Sequence, residues 1–268
     1  ISRVKRLGFD ILEVACGNFY LETDAFFQEL KQVSSSEGII LTGGYGPRPE
    51  HNLASPDSAK TQEASRFYAD MFRKMELAGI RSIGGALYSY WPVDFKSGFD
   101  KKADFERSTT GMRHLADMAA DHGIELNMEA LNRFEGYLIN DAEECLRYVE
   151  SVDRPNVHVM LDTFHMNIEE DSFTEAIRLV GKRLGHVHVG EGNRKPPCSE
   201  GRIPWQEIGA ALHEIGYDGY VVMEPFVRMG GQVGRDISIW RDISRGANDK
   251  ALDEAAAKSV KFLKDLWK

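Results

Sequence analysis

The stretch VHVMLDTFH, residues 157–165, runs through a short apolar segment, reaches the acidic Asp162 and turns towards a helix. The same order recurs at three other side chains: Glu129 in IELNMEALNRFE, His188 in LGHVHVGE and Glu224 in GYVVMEPF. In a barrel of alternating strands and helices, side chains at these strand ends collect at one mouth. Three carboxylates and one imidazole facing one another would repel unless a cation held them together. The set therefore predicts a divalent metal site.

Length, composition and charge restrict the class of protein. The chain has 268 residues, of which 42% are hydrophobic, so we expect residues 1–268 to form one catalytic domain with a sizeable core. A net charge of −9 argues against nucleic-acid binding and suits an enzyme with a neutral small substrate. The three scattered cysteines form no CxxC pair, and no apolar run approaches the ~18 residues of a membrane span. We therefore expect a cytoplasmic protein that contacts no membrane.

Strand-like and helical segments alternate along the chain. Apolar, β-branched runs predict seven strands: Ile11–Cys16, Ile39–Tyr45, Ile80–Tyr88, Ile124–Leu131, Val157–His165, Leu184–Val189 and Tyr220–Phe226. Helical spacing predicts helices over 24–37, 57–78, 104–122, 141–151, 172–183, 204–215 and 251–267. Such alternation is typical of a parallel sheet whose faces are covered by helices.

The N-terminal residues bear on how the barrel is counted. The sequence ISRVKRLG places Ile1, Val4 and Leu7 at helical spacing, which gives eight helical segments but only seven strands. We therefore predict an α/β fold, a (β/α)8 TIM barrel, whose first strand and loop of about twenty residues are missing upstream. The alternative, an open barrel, would leave two parallel edges unpaired. The long connection from Val227 to Lys250 is expected to shape the site or a subunit contact.

Strand geometry decides which histidine of the sixth strand faces the metal. His186 and His188 are two residues apart and share a face, but His188 lies nearer the C-terminal end of the strand. We assign His188 to the metal and His186 to the layer beneath. A lone aspartate after a strand is more often a helix cap, and a lone histidine is more often a hydrogen-bonded core residue. Four such groups on four strands favour the joint interpretation, and this ligand set suits Mn²⁺, Co²⁺ or Mg²⁺.

Several segments resemble the ketose 3-epimerases, the family of D-tagatose 3-epimerase and D-psicose (D-allulose) 3-epimerase. They include MEALNRFEGYLIN, VMLDTFHMNIEEDSF, GHVHVGEGNR, GRIPWQEIG and VVMEPFVRMGG. The earlier segments RLGFDILEVACG, GIILTGGYGP and IGGALYSYWPVDF resemble the family as well, so the likeness covers essentially the whole chain. The resemblance implies one divalent ion per subunit, typically Mn²⁺ or Co²⁺, and a homodimer or homotetramer. It implies the metal ligands Glu129, Asp162, His188 and Glu224, and the substrate contacts Glu135, His165, Arg194, Trp91 and Tyr45.

The implied reaction inverts C3 of a free ketohexose, interconverting D-psicose and D-fructose or D-tagatose and D-sorbose. The C3 hydrogen is adjacent to the C2 carbonyl, and a metal would polarise that carbonyl and stabilise a cis-enediolate. Inversion requires a proton to leave one face and another to arrive on the opposite face. Glu129 and Glu224 come from strands far apart around the barrel, so we expect them to alternate as base and acid.

Other functions remain open at this level. A 1,2-aldose–ketose isomerase would share the metal and the carboxylates but move the proton between C1 and C2. A metal-dependent phosphodiesterase of the endonuclease kind would require more histidines and a basic face. A non-enzymatic sugar-binding barrel would be expected to have lost a metal carboxylate, whereas all four ligands are present. An inactive fragment is the remaining alternative, because of the missing strand.

Overall fold

Seven parallel strands form the core of the molecule. The computed structural model describes residues 1–96 and 98–268. Each strand in this part of the chain pairs with the next one in sequence, in the order β1 to β7. The strands are β1 Ile11–Ala15, β2 Ile40–Gly44, β3 Ser82–Gly85, β4 Glu125–Glu129, β5 Val157–Asp162, β6 Leu184–Val189 and β7 Tyr220–Met223. The predicted TIM barrel is confirmed, with seven strands in a nearly closed sheet.

Helices follow the strands and cover the outside of the sheet. The helices are α1 Ser2–Arg6, α2 Asp24–Glu37, α3 Ser58–Ala78, α4 Lys101–Asp121, α5 Ala142–Val152, α6 Thr163–Glu169, α7 Phe173–Val180, α8 Trp205–Glu214, α9 Gly231–Asp236 and α10 Asp249–Leu266. Short 3₁₀ turns occur at Cys16–Leu21, Pro49–His51 and Gly181–Arg183. Among the described residues, no helix combines the length and hydropathy needed to cross a membrane.

The strands differ in burial around the barrel. Strands β3 to β6 are almost entirely buried, whereas β1 and β7 are half-buried along most of their length. In the described residues, β1 and β7 form the two edges of the sheet, and they approach one another without a hydrogen-bonded ladder. The best-packed part of the barrel is therefore the half that carries Glu129, Asp162 and His188.

Several predicted strands were too long: those predicted over Ile80–Tyr88, Ile124–Leu131 and Tyr220–Phe226 are observed as Ser82–Gly85, Glu125–Glu129 and Tyr220–Met223. The strand predicted over Val157–His165 ends at Asp162, and His165 lies in α6 instead. The side chain of Asp162 accepts a hydrogen bond of 2.8 Å from the Phe164 backbone amide, which caps the helix and stops the strand. The long connection after Phe226 is not entirely irregular, because it contains α9.

Candidate active site

The four predicted metal ligands lie at the C-terminal ends of four consecutive strands. Glu129 and Asp162 are the last residues of β4 and β5, His188 is the penultimate residue of β6, and Glu224 directly follows β7. Successive parallel strands bring these ends to one mouth, as the sequence predicted. Three of the four are buried, whereas the side chain of Glu224 is 33% exposed. The mouth opens into a cavity of about 760 Å³ that eight of the nine predicted site residues line. The ninth, Asp162, is 1% exposed and accepts a hydrogen bond from Arg194, which lines the cavity.

The potential ligand atoms form two groups that share Asp162. Oxygen and nitrogen atoms of Asp162, His188 and Glu224 lie within 4.8 Å of one another, and so do those of Glu129, Asp162 and His165. Glu129 and Glu224 therefore flank Asp162 without belonging to one group. The four-residue set predicted from the sequence is brought to one place, but His165 also lies within ligand distance of it.

The protonation pattern of His188 makes its Nδ1 atom available. Its Nε2 atom lies 2.8 Å from a carboxylate oxygen of Glu13, and an ionised carboxylate only accepts hydrogen bonds. Burial opposes the ionisation of Glu13, but the neighbouring imidazoles of His188 and His186 outweigh it and lower the pKa of Glu13 well below its usual range. Nε2 of His188 therefore carries a proton, and Nδ1 faces Glu224 at 3.6 Å. Burial opposes the charge on this ring, but Glu13 and Glu224 outweigh it and raise the pKa of His188 well above its usual range. A cation that binds Nδ1 would therefore displace a proton from it.

The site fits a divalent cation because this Nδ1 atom is buried and has no hydrogen-bond partner. A buried polar atom without a partner is unfavourable unless something binds it. An imidazole lone pair beside three carboxylates is a ligand set that suits Mn²⁺, Co²⁺ or Mg²⁺, although the donor set alone does not choose among them. The residues that could hold the ion are Glu129, Asp162, His188 and Glu224.

His165 has the opposite protonation pattern. The backbone amide of Asn132 donates to Nδ1 of His165 over 3.1 Å, so this nitrogen carries the lone pair. Burial also lowers the pKa of His165, which favours the neutral ring with its proton on Nε2. That N–H faces Glu129 and Asp162, with 3.7 Å to an oxygen of each. An N–H group cannot bind a metal, so the geometry favours a donor to a substrate oxygen.

Arg194 is a buried cation at the centre of the site. Its Nη1 atom lies 3.0 Å from Asp162 Oδ2 and 2.9 Å from Glu224 Oε2, while Nη2 lies 3.5 Å from Glu135. The guanidinium also stacks 3.7 Å above the ring of Phe164. The residue is 4% exposed, so these charges interact in a poorly solvated environment where their attraction is strong. Loss of this cation would leave three carboxylates facing one another.

The two buried carboxylates Glu129 and Asp162 differ in their pKa. Burial raises the pKa of Glu129 well above its usual range, and the carboxylates of Glu224 and Asp162 raise it further. Burial would also raise the pKa of Asp162, but the Arg194 guanidinium together with the imidazoles of His165 and His188 outweighs it, and the net shift is downward. The protein environment alone therefore favours a protonated Glu129 beside an ionised Asp162.

The predicted aromatic residues form the cavity wall. The hydroxyl of Tyr45 lies 2.6 Å from Nδ1 of His51, so Tyr45 presents its ring to the cavity rather than a free hydroxyl. Trp91 packs against Gly46, where an added Cβ atom would lie 3.0 Å from the indole ring. Both aromatic side chains thus provide apolar surface on one side of the cavity.

Glu13 was missed in the sequence. It lies in β1, and it is the partner of His188 across the barrel. Its only sequence signal is a charged residue inside the apolar run ILEVA. Asn132 was not predicted either, although its backbone amide and its side-chain amide both contact Nδ1 of His165 and so orient the ring.

Comparisons with known proteins agree with the fold and with the site. Residues 1–266 match the family described as xylose isomerase-like TIM barrel. A D-psicose 3-epimerase of Ruminiclostridium cellulolyticum is 53% identical over 98% of this chain and 89% of the relative. The chain belongs to the ketose 3-epimerase family of these barrels. It is therefore related throughout its length to enzymes of the isomerase class.

Solved structures of this family superpose on the chain. D-psicose 3-epimerase with D-tagatose, from Clostridium cellulolyticum H10, has a TM-score of 0.98 and 51% identity, covering 100% of this chain and 92% of that one. A D-psicose 3-epimerase in the presence of D-fructose has a TM-score of 0.97 and 46% identity, covering 99% and 91%. The barrel geometry of the family is therefore preserved in this chain.

Proposed function

We propose that the protein is a metal-dependent epimerase that inverts C3 of free ketohexoses, with D-psicose/D-fructose and D-tagatose/D-sorbose as substrate pairs. The observation that carries the proposal is that Glu129 and Glu224, from different strands, each lie in a ligand group with Asp162, at one cavity that is also lined by His188 with its unpartnered Nδ1. Two carboxylates on opposite sides of one substrate are what inversion at a carbon requires. The 53% identity to a D-psicose 3-epimerase supports the choice of substrate.

One divalent ion, Mn²⁺ with Co²⁺ or Mg²⁺ as substitutes, would be held by Glu129, Asp162, His188 and Glu224. When bound, it would polarise the ketose carbonyl and stabilise negative charge on the neighbouring oxygens. The contribution of Asp162 and His188 is to fix the position of the cation. Glu129 and Glu224 in addition face the substrate from either side.

The carboxylates move the protons. Removal of the C3 hydrogen by one glutamate gives a planar cis-enediolate, and proton donation by the other glutamate to the opposite face completes the inversion. In one direction of the reaction Glu129 acts as the acid and Glu224 as the base. In the reverse direction the two roles exchange.

The remaining predicted residues hold the sugar. Nε2–H of His165 can donate to an oxygen near C1 to C3, and the cation of Arg194 can offset negative charge that develops there. Glu135, which lies 3.5 Å from Arg194, can accept a hydrogen bond from a sugar hydroxyl. Trp91 and Tyr45 would contact the apolar face of the ketose.

The direct test is epimerisation of D-fructose and D-psicose by protein treated with a chelator, with and without added Mn²⁺. We expect interconversion only with the ion, and its loss in Glu224→Gln, which keeps the size of the side chain and removes the base. Asp253→Asn, on the distant helix α10, is the matched control and should retain the activity. A folded, Mn²⁺-loaded protein that acts on neither sugar would refute the proposed substrate.

We also propose a cytoplasmic homodimer or homotetramer. The three cysteines are free, which fits a reducing compartment. Met229 and Trp240 in the long connection are 59% and 72% exposed, and such apolar side chains are typical of subunit contacts. Sedimentation analysis, with Trp240→Ser as the variant, tests the assembly: a monomer at all concentrations would contradict it.

A further inference from the structure

Glu13 connects the first strand of the sheet to the metal-facing histidine across the interior of the barrel. One oxygen, Oε1, lies 2.8 Å from Nε2 of His188, which is 175 residues away in the sequence. The other oxygen, Oε2, accepts a 3.0 Å hydrogen bond from the hydroxyl of Thr42 on the adjacent strand β2. His186 lies 3.1 Å from Oε2 but without the alignment of a hydrogen bond. The strongest contacts of Glu13 are therefore those to His188 and Thr42.

The surrounding backbone leaves room for this carboxylate. Gly44, at the end of β2, has no side chain at the point where an added Cβ would lie 3.1 Å from Oε1 of Glu13. Thr42 pairs directly with Glu13 in the register of the two strands, and its hydroxyl holds Oε2 of the carboxylate while Oε1 faces His188. The orientation of Glu13 is thus set by backbone and side-chain contacts together.

Hydrogen bonding to Glu13 decides which nitrogen of His188 carries the lone pair. The Glu13 carboxylate accepts hydrogen bonds, so a neutral His188 ring must carry its proton on Nε2, the nitrogen that faces Glu13. The lone pair is then on Nδ1, the buried atom that lacks a partner and faces Glu224 at 3.6 Å. Carboxylates that hold a ligating histidine in this way typically change metal affinity 10–100-fold, as an order of magnitude.

We propose that Glu13 is the positioning residue that makes His188 a metal ligand through Nδ1 and sets the affinity of the site for its ion. The proposal rests on the metal site of the proposed function but not on the identity of the sugar. A different role for the same cluster would be a second metal site, since ligand atoms of Glu13, His186 and His188 lie within 4.8 Å of one another. That arrangement would need His188 to give up its Nε2 proton, and it would bind two ions per subunit.

The test is Mn²⁺ binding to chelator-treated protein, measured by calorimetry and by electron paramagnetic resonance. Glu13→Gln keeps the size of the side chain but loses the ionised acceptor, and its amide NH₂ can face His188 and force the proton onto Nδ1. We expect the Kd for Mn²⁺ to rise about 10–100-fold and the nitrogen coupling of the bound ion to weaken or disappear. Thr42→Val, which releases the carboxylate from β2, should raise Kd less.

Asp104→Asn is the matched control, because Asp104 is also a buried carboxylate, on α4, and it is hydrogen-bonded to Arg107 and Tyr137 rather than to a predicted metal ligand. The Kd of Asp104→Asn for Mn²⁺ should equal that of the wild type. A folded Glu13→Gln protein with a Kd within twofold of the wild type would overturn the proposal, and so would two ions per subunit. If Glu13→Gln does not fold, an unchanged Kd in Thr42→Val overturns it.

The outcomes separate this proposal from the proposed function. A wild-type protein that binds one Mn²⁺ with nitrogen coupling but epimerises no ketose would refute the substrate and leave the role of Glu13 intact. A wild-type protein that binds no divalent ion would refute both the metal site and the positioning role.

Discussion

Replacement of Arg194 by methionine tests the electrostatics of the site without reference to the sugar. Methionine retains much of the apolar stem and removes the guanidinium, so the carboxylates of Asp162, Glu224 and Glu135 lose their shared cation. Asp162 is 1% exposed and cannot recover the lost interaction from water. Without a bound metal, the variant protein should therefore unfold more easily.

The magnitude follows from the burial of the partners. Removing one member of a buried ion pair typically costs about 3–5 kcal/mol. The lower value applies here because the side chain of Glu224 is 33% exposed and water screens part of its charge. At an unfolding entropy of about 2.1 cal/mol/K per residue, a loss of about 3 kcal/mol in a chain of 268 residues lowers Tm by about 5 °C.

The assay is thermal unfolding by circular dichroism at neutral pH, in chelator and then in saturating Mn²⁺. A divalent ion among the same carboxylates offsets their repulsion, so the Tm values of wild type and Arg194→Met should converge when Mn²⁺ is added. Arg178→Met, which breaks an ion pair whose side chains are 47% and 57% exposed, is the control and should leave Tm nearly unchanged. An unchanged Tm for Arg194→Met in chelator would show that the guanidinium does not stabilise these carboxylates. A Tm deficit that Mn²⁺ does not reduce would show that the ion does not bind among them.

Three further predictions concern the cavity and its wall. Burial raises the pKa of Tyr45 to about 12, so this side chain ionises in the unfolded chain at a lower pH than in the folded protein. The wild type should therefore lose stability relative to Tyr45→Phe as pH rises above ~10. A difference in urea midpoint between wild type and Tyr45→Phe that is the same at pH 8 and 11 would contradict this. Gly85 has φ 127°, and an added Cβ would collide with the carbonyl oxygen of Tyr45, so Gly85→Ala should lower Tm strongly. Gly98→Ala is the control and should leave Tm unchanged, because no atom lies within 4 Å of an added Cβ there. Similar Tm values for the two variants would contradict this prediction. Glu135→Gln should raise KM for the ketose about tenfold with a smaller change in kcat, because a charged acceptor is lost, and an unchanged KM would exclude direct contact.

The strand ends could be predicted from the sequence because they combine two strong signals. An apolar run followed by an acidic residue and a helix occurs at both Glu129 and Asp162, and parallel strands bring such ends together irrespective of packing details. Asp162 shows that the two interpretations of such a residue are compatible, since one oxygen caps α6 and the other faces Arg194. The (β/α) alternation and the place of the site therefore followed from local patterns.

The contacts between distant strands could not be predicted. Glu13 looks like an ordinary polar residue in a half-buried strand, and only the curvature of the sheet brings β1 within reach of β6, where His188 lies. The end of β5 was also misplaced, because no glycine or proline marks the change from strand to helix between Asp162 and His165. Both errors concern tertiary geometry or capping, which hydrophobic periodicity does not report.

The central claim, proton transfer at C3 by two opposed carboxylates, is tested most directly by incubating the Mn²⁺-loaded protein with D-fructose in D₂O and locating the label by NMR. We expect D-psicose carrying deuterium at C3, with the exchange lost or strongly reduced in both Glu129→Gln and Glu224→Gln. Deuterium at C1 instead would show a 1,2-isomerase and contradict the account. Unlabelled D-psicose would contradict transfer through carboxylates whose protons exchange with solvent.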